Sequence, residues 1–418
     1  MLEMEDRIST MPSNIIEVIL MCLPIADAVR SSILSSRWRH LWCTIPHLIF
    51  NKQSVPSSVH NQLDKIVDQV LLLHNGPIHK FVFDGFIEDL ATVDRWIVVL
   101  SRNDLKELAL KFCPGRLYKL PSSLFSCRAI VTLDLHDCEF KLPRSFSGFS
   151  LLTDLFLENV NISDDEFACL ISKSSHIRKL VFMDFYGCCH LKFNAPKLQE
   201  LVIEGVFEDI HLENTPELAN LSIGLEDDEE LDNEDEDFDN GDTENVEDCY
   251  FVKYLSNIPK IEKLELQHNF LDFMTRGQAY VRFPTYTCLK KVFFSCFNFQ
   301  DLKHVIALQS LLQNSPVLQE LEIEADTDDS IATIPTSSFF DKREFHNARL
   351  CQLRRVKLTE LMGLRPELEF IEFILAASSA LEVLTIKLDT DATEEVKFYK
   401  EIMRFRRAST RAQIEILD

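Results

Sequence analysis

The chain has 418 residues, 43 Lys+Arg against 67 Asp+Glu, a formal net charge of −24 and 46% hydrophobic residues. That length suits two or three domains or one repeat array, and the acidic balance excludes a protein whose main work is gripping nucleic acid or anionic membrane, which takes a basic face. The 10 glycines exclude more: the closest pair is Gly76 and Gly85, so no dinucleotide fingerprint, phosphate loop or nucleophile elbow can form.

At the N-terminus, Ile15, Ile16, Ile19, Leu20 and Leu23 form one helical stripe that Pro24 ends. A second helical segment is expected from about Asp27, carrying Val29, Ile33, Leu34, Trp38, Leu41 and Trp42, with Arg30, Arg37, Arg39 and His40 on its other faces. So small and apolar a block must pack on something. It either caps a repeat array or presents an apolar face to a partner helix. No basic segment followed by an apolar run opens the chain, so cytoplasm and/or nucleus is expected, and no uncharged run reaches membrane-spanning length. The 12 cysteines contain no CxxC and are expected as reduced thiols. Cys188-Cys189-His190 lacks a second ligand pair at zinc spacing, so no metal and no other cofactor is expected.

A six-residue pattern, apolar-x-x-apolar-x-apolar, then recurs twelve times, beginning at Ile78, Leu105, Ile130, Leu152, Ile177, Leu198, Leu218, Ile261, Leu289, Leu318, Leu353 and Leu381. The intervals run from 20 to 35 residues, except 43 between Leu218 and Ile261. Such periods with this core are those of leucine-rich repeats, each a short strand that buries one face only by stacking on its neighbours. Within the long interval, residues 226–248 hold 15 Asp/Glu and no Lys or Arg, leaving −9 for the remainder. Removing those 23 residues restores an interval of 20, so the run reads as an insertion, most simply a solvated and disordered loop. A tether for a basic partner, or a gate over the concave face of the array, is the other reading. Later intervals have room for helices at Asp301–Asn314 and from Pro366 through Glu367–Ala377.

Strand alternation brings two columns to the face opposite the connections: the residue between the second and third anchors, and the residue after the third. Phe156, Val181, Met183 and Val202 then form an apolar patch flanked by His136, Glu158 and Glu204, as a protein-binding face requires. Mutual packing of these side chains in a tightly curved array is the alternative.

Asp6-Arg7-Ile8-Ser9, Met11-Pro12, Ile15, Ile19-Leu20, Leu23-Pro24, Ala28-Val29-Arg30, Ser32, Leu34-Ser35, Arg37-Trp38-Arg39 and Leu41-Trp42 closely resemble the F-box of plant F-box proteins. Met11 stands where that family usually has Leu, and Asn14 where it is often acidic. The repeats, followed by Leu353–Leu358, the helix after Pro366, Leu381–Leu388 and the closing segment from Glu401, resemble the F-box/FBD/leucine-rich-repeat layout. The fold implied is α/β: a three-helix F-box, then a leucine-rich-repeat solenoid with a curved parallel sheet and convex-side helices. The divisions are F-box 1–50, linker helix and start of solenoid 51–77, repeats 78–350, and FBD-like module 351–418.

The resemblance implies a non-catalytic substrate receptor of a Skp–cullin–F-box ubiquitin ligase. The F-box would dock a Skp-type adaptor, and through it a cullin–RING ligase, while the concave face holds an unknown protein substrate. Neither nucleic acid nor membrane is implied. The docking set is Pro12, Ile15, Ile19, Leu20, Leu23, Pro24, Val29, Leu34, Trp38, Leu41 and Trp42. Sequence does not separate those that face an adaptor from those that face the block's own core. A repeat scaffold that joins no ligase is the alternative.

Overall fold

The computed structural model describes residues 11–36, 38–112, 117–226, 255, 258, 260–275, 282–326, 350–390 and 395–417. Two compact units divide the chain, Met1–Cys189 and His190–Asp418.

In the first unit, helices α1 (Ser13–Met21) and α2 (Ile25–Arg30) precede the sheet. Pro12 and Pro24 occupy their N-cap positions, where the missing N–H costs nothing. The helical segment expected from Asp27 is broken: beyond Arg30 the described residues form 3-10 turns at Ser31–Ile33 and Leu41–Thr44. Six parallel strands follow: β1 (His47–Phe50), β2 (Lys80–Gly85), β3 (Glu107–Phe112), β5 (Thr132–Glu139), β6 (Asp154–Asn161) and β7 (Lys179–Tyr186), with β4 (Tyr118–Lys119) beside β5. Helices α3 (Leu63–Leu73), α4 (Ala91–Leu100) and α5 (Asp164–Lys173) lie in the connections.

The second unit carries parallel β9 (Glu200–Gly205), β11 (Asn220–Leu225), β12 (Lys263–His268), β13 (Lys291–Phe297), β14 (Glu320–Ala325), β15 (Arg355–Leu361), β16 (Val383–Leu388) and β17 (Gln413–Ile416). Its helices are α6 (Phe270–Thr275), α7 (Leu302–Gln313), α8 (Arg365–Ala377) and α9 (Glu395–Ile402). Asp301 caps α7 by accepting from Lys303 N at 2.6 Å, and Pro366 sits in the first turn of α8. No helix among the described residues is long and apolar enough to cross a membrane.

Every one of the twelve hexads starts a strand two residues after its first anchor. The anchors are buried, as Leu155, Leu157, Leu180 and Phe182 show at 0% exposure, each contributing roughly 1.5–3 kcal/mol. Two further strands extend the array. Residues 47–50, inside the segment assigned to the F-box, already pair with β2, because Ile45-Pro46-His47-Leu48-Ile49-Phe50 carries the same hexad. At the other end β17 pairs with β16, with Arg411 where the first anchor would stand.

Helices are not uniform along the connecting side. Where the interval shrinks to 20 or 21 residues, β8 (His190–Asn194) and β10 (Asp209–Glu213) pair in a small parallel sheet instead. An extended segment covers the return with fewer residues than a helix, at about 3.3 Å per residue against 1.5 Å.

One backbone feature repeats. The seventh residue after the first anchor has φ between 50° and 56° at Asp137, Asn159, Asp184, His268, Cys296 and Glu360. This left-handed residue kinks the strand as a bulge does, and the register shifts at Phe294/Phe297 and Leu358/Leu361. The next residue then points inward: Cys138, Val160, Phe185, Phe297 and Leu361 are all buried. The acidic run 226–248 lies, apart from Glu226, outside the described residues.

Candidate functional site

Two surfaces carry the residues singled out by sequence. The first is the N-terminal block. Ile16 and Leu20 of α1 turn inward with Ile25 and Ala28 of α2, and Trp38 and Trp42 are buried at 4% and 8% exposure. Leu20, Trp38 and Trp42 of the expected docking set are therefore buried in this fold. Ile15, Leu23 and Leu34 are exposed at 45%, 37% and 54%. Pro12 and Pro24 are exposed too, while Ile19, Val29 and Leu41 are half-buried. Three exposed apolar residues lay outside the expected set: Val18 and Met21, and above all Ile33 at 85% exposure. The three-residue spacing of Ile15, Val18 and Met21 marks one side of α1 and was legible. Ile33 was not, because the break after Arg30 decides which way it points.

The second surface is the strand face opposite the connections. In the first unit the structure brings together His136 on β5, Phe156 and Glu158 on β6, and Val181 and Met183 on β7, all half-buried except exposed Glu158. Their register is direct: Phe156 lies between Asp134 and Val181, and Glu158 between His136 and Met183. The apolar side chains meet a polar cluster. His136 Nε2 is 2.9 Å from Asp134 and its Nδ1 3.1 Å from Glu158, while Lys111 is 3.3 Å from Asp134. Burial opposes ionisation of Asp134, yet His136 and Lys111 outweigh it and hold the carboxyl below its usual range. Lys179 stands 5.7 Å over the Phe156 ring, a cation–π contact from the residue just before the second anchor.

That third column is the signal sequence reasoning missed. In a strand it shares a face with the other two. In the second unit it supplies Lys263, Lys291, Glu320 and Arg355 to a groove of about 360 Å³ with Glu265, Phe293, Glu322 and Lys357. Lys263 meets Glu265 at 2.6 Å, Lys291 meets Glu320 at 2.6 Å, Arg355 also reaches Glu320, and Lys357 pairs with Glu322. Hydrogen bonds from Lys291 and Arg355 hold the Glu320 carboxyl below its usual range. The groove thus pairs opposite charges along one strand and across its neighbours, around one half-buried aromatic ring.

Val202 and Glu204 lie on β9 of this unit, both half-buried. Glu204 accepts from His268 Nε2 at 3.0 Å across β11, and Gly224 makes the room: a Cβ there would stand 2.9 Å from the His268 ring.

The only three-residue cluster of metal-ligating groups among the described residues, Asp272, Asp301 and His304, is already occupied with holding α7. His304 meets Asp272 at 2.9 Å and accepts from Asn298 N, and Asp301 is the cap. At Cys188, burial pushes the thiol pKa well above its ordinary value.

Residues 8–50 match the F-box domain model, and residues 79–415 match the model described as At1g61320/AtMIF1, LRR domain. Among curated relatives from Arabidopsis thaliana, F-box/FBD/LRR-repeat protein At1g13570 is 35% identical, covering 99% of both chains. Putative F-box/FBD/LRR-repeat protein At4g00315 is 29% identical over 94% of this chain and 95% of its own. F-box/FBD/LRR-repeat protein At4g26340 is 24% identical over 98% and 99%. Fold and matches together define the class, leucine-rich repeats behind an F-box. The chain belongs to the F-box/FBD/LRR-repeat family.

Proposed function

We propose that this chain is the substrate-recognition subunit of a Skp–cullin–F-box ubiquitin ligase, the F-box docking the adaptor and the strand face holding the protein to be ubiquitinated. The observation that carries the reading is the set of exposed apolar side chains on the F-box block, Ile15, Val18, Leu23, Ile33 and Leu34. Large apolar groups exposed together within one short helical block are what a docking face for a partner helix requires. The polar and apolar mixture around Phe156 has the make-up of a protein-binding face. In this role the chain performs no bond chemistry. It raises the effective concentration of a substrate lysine near the charged conjugating enzyme. Cytoplasm and nucleus are the compartments this role fits.

The test uses exposed positions, so that lost binding is not lost folding. The double substitution Ile33→Asp with Leu34→Asp should abolish co-purification with a Skp-type adaptor and leave the circular dichroism spectrum unchanged. Retained adaptor binding refutes the proposal. A scaffold that joins no ligase predicts that adaptor and cullin never co-elute with the parent chain.

A further inference from the structure

The last strand, β17, pairs with β16 on one side and, among the described residues, with nothing on the other. Gln413 N and Leu417 N donate inward to Glu382 O and Ile386 O, each at 2.9 Å. Strand alternation therefore turns the main-chain groups of Ile414 and Ile416 to the open edge. On that same side the Ala412 carbonyl already accepts from the Arg407 guanidinium at 3.1 Å, which sets a cation at one end of the edge. The side chains tell the same story. Ile416 is 42% exposed and Leu417 42%, whereas Ile386, the register partner of Ile416, is 0% exposed. What each repeat offers its successor, an apolar row and a line of donors and acceptors, is covered here by no described residue.

The segment leading into β17 has its own character. In a chain of net charge −24, residues 395–411 carry Lys397, Lys400, Arg404, Arg406, Arg407 and Arg411 against Glu395 and Glu401 alone, and all six cations are exposed. Glu401 is in turn shared with Arg365 at 3.5 Å.

We infer that this edge accepts an extended acidic segment of a partner protein as an added strand. Apolar side chains at alternate positions would cover Ile414 and Ile416, and carboxylates would lie beside Arg406, Arg407 and Arg411. Main-chain pairing selects a polypeptide over nucleic acid, and the arginines select an acidic one.

The experiment titrates the full chain, by fluorescence anisotropy, with a labelled peptide of roughly ten residues, a strand plus its flank. The peptide has a run of Glu followed by alternating Val and Thr. Two controls change the peptide alone: Lys for every Glu, and Pro at alternate strand positions. Binding is expected for the first peptide, weaker as salt rises, with each control weaker by about tenfold or more. The Arg406→Glu/Arg411→Glu variant should weaken the acidic peptide and improve the Lys peptide. Equal binding of the Pro peptide removes strand addition, and equal binding of the Lys peptide removes the charge match. A dimer of the chain alone that the peptide disperses would assign the edge to a second copy. Any of these, or no binding at about 1 mM peptide, overturns the inference.

Discussion

Glu367 is a carboxylate at 1% exposure in the first turn of α8, accepting from Met362 N at 3.1 Å and Leu364 N at 2.8 Å. Burial raises its pKa to about 7, although those N–H groups favour the ionised form. The folded chain thus holds this proton more tightly than the unfolded chain does. The stability it contributes is complete below the ordinary glutamate value and is lost as pH rises through about 7. Glu367→Gln is neutral at every pH. Urea melts at about pH 5 and about pH 8 should therefore show a smaller fall in stability for the variant than for the parent. Equal falls would mean that Glu367 does not carry the effect. Asp134 works in the opposite direction. Its lowered pKa gives stability that is present above the ordinary aspartate value and lost as pH falls through the folded one, in a window that does not overlap with that of Glu367.

At the element scale, α7 and α8 form where caps, proline and apolar spacing agree, and this is why both were legible in sequence to within a residue or two. Asp301→Ala should cost about 1 kcal/mol and Asp301→Asn much less, by the ordinary cost of an N-cap. Denaturant midpoints read this directly, and an unchanged midpoint for the alanine variant would mean Lys303 N finds another acceptor. The misses have physical causes. β1 carries the hexad from Ile45 but stands next to the F-box motif, whose stronger signal absorbed it. β17 lacks an apolar first anchor, so Arg411 hid it. β8 and β10 alternate cleanly, with Leu191, Phe193, Ile210 and Leu212 buried, yet an interval near 20 gave no reason to expect strands between strands. At the candidate site, alternation placed Phe156, Val181 and Met183 on one face. It could not say that Trp38 and Trp42 turn inward, since that depends on how the block closes on itself.

Across the whole molecule the two surfaces should behave separately. Phe156→Asp with Met183→Asp should remove substrate capture and leave adaptor binding intact, while Ile33→Asp with Leu34→Asp should do the reverse. Joint loss from either pair, in affinity purification after proteasome inhibition, would mean the two sites are not independent. The charge of −24 also resolves into parts: 15 acidic residues within 226–248 and a remainder of −9, which includes the basic stretch before β17. The recurring left-handed residue at the seventh repeat position bears on how the sequence can vary. It costs about 1–2 kcal/mol for most side chains and far less for Gly, Asn or Asp. Asp137, Asn159 and Asp184 meet that demand by residue type, whereas Cys296 and Glu360 do not. A saturation-mutagenesis profile should therefore show a comb: at these six sites, Val, Ile and Thr depleted whatever the exposure, and Gly or Asn enriched at Cys296 and Glu360. A flat profile there would mean the kinks are dispensable. With teeth in place, backbone handedness, and not hydrophobicity alone, would set the tempo at which this protein's repeats are allowed to diverge.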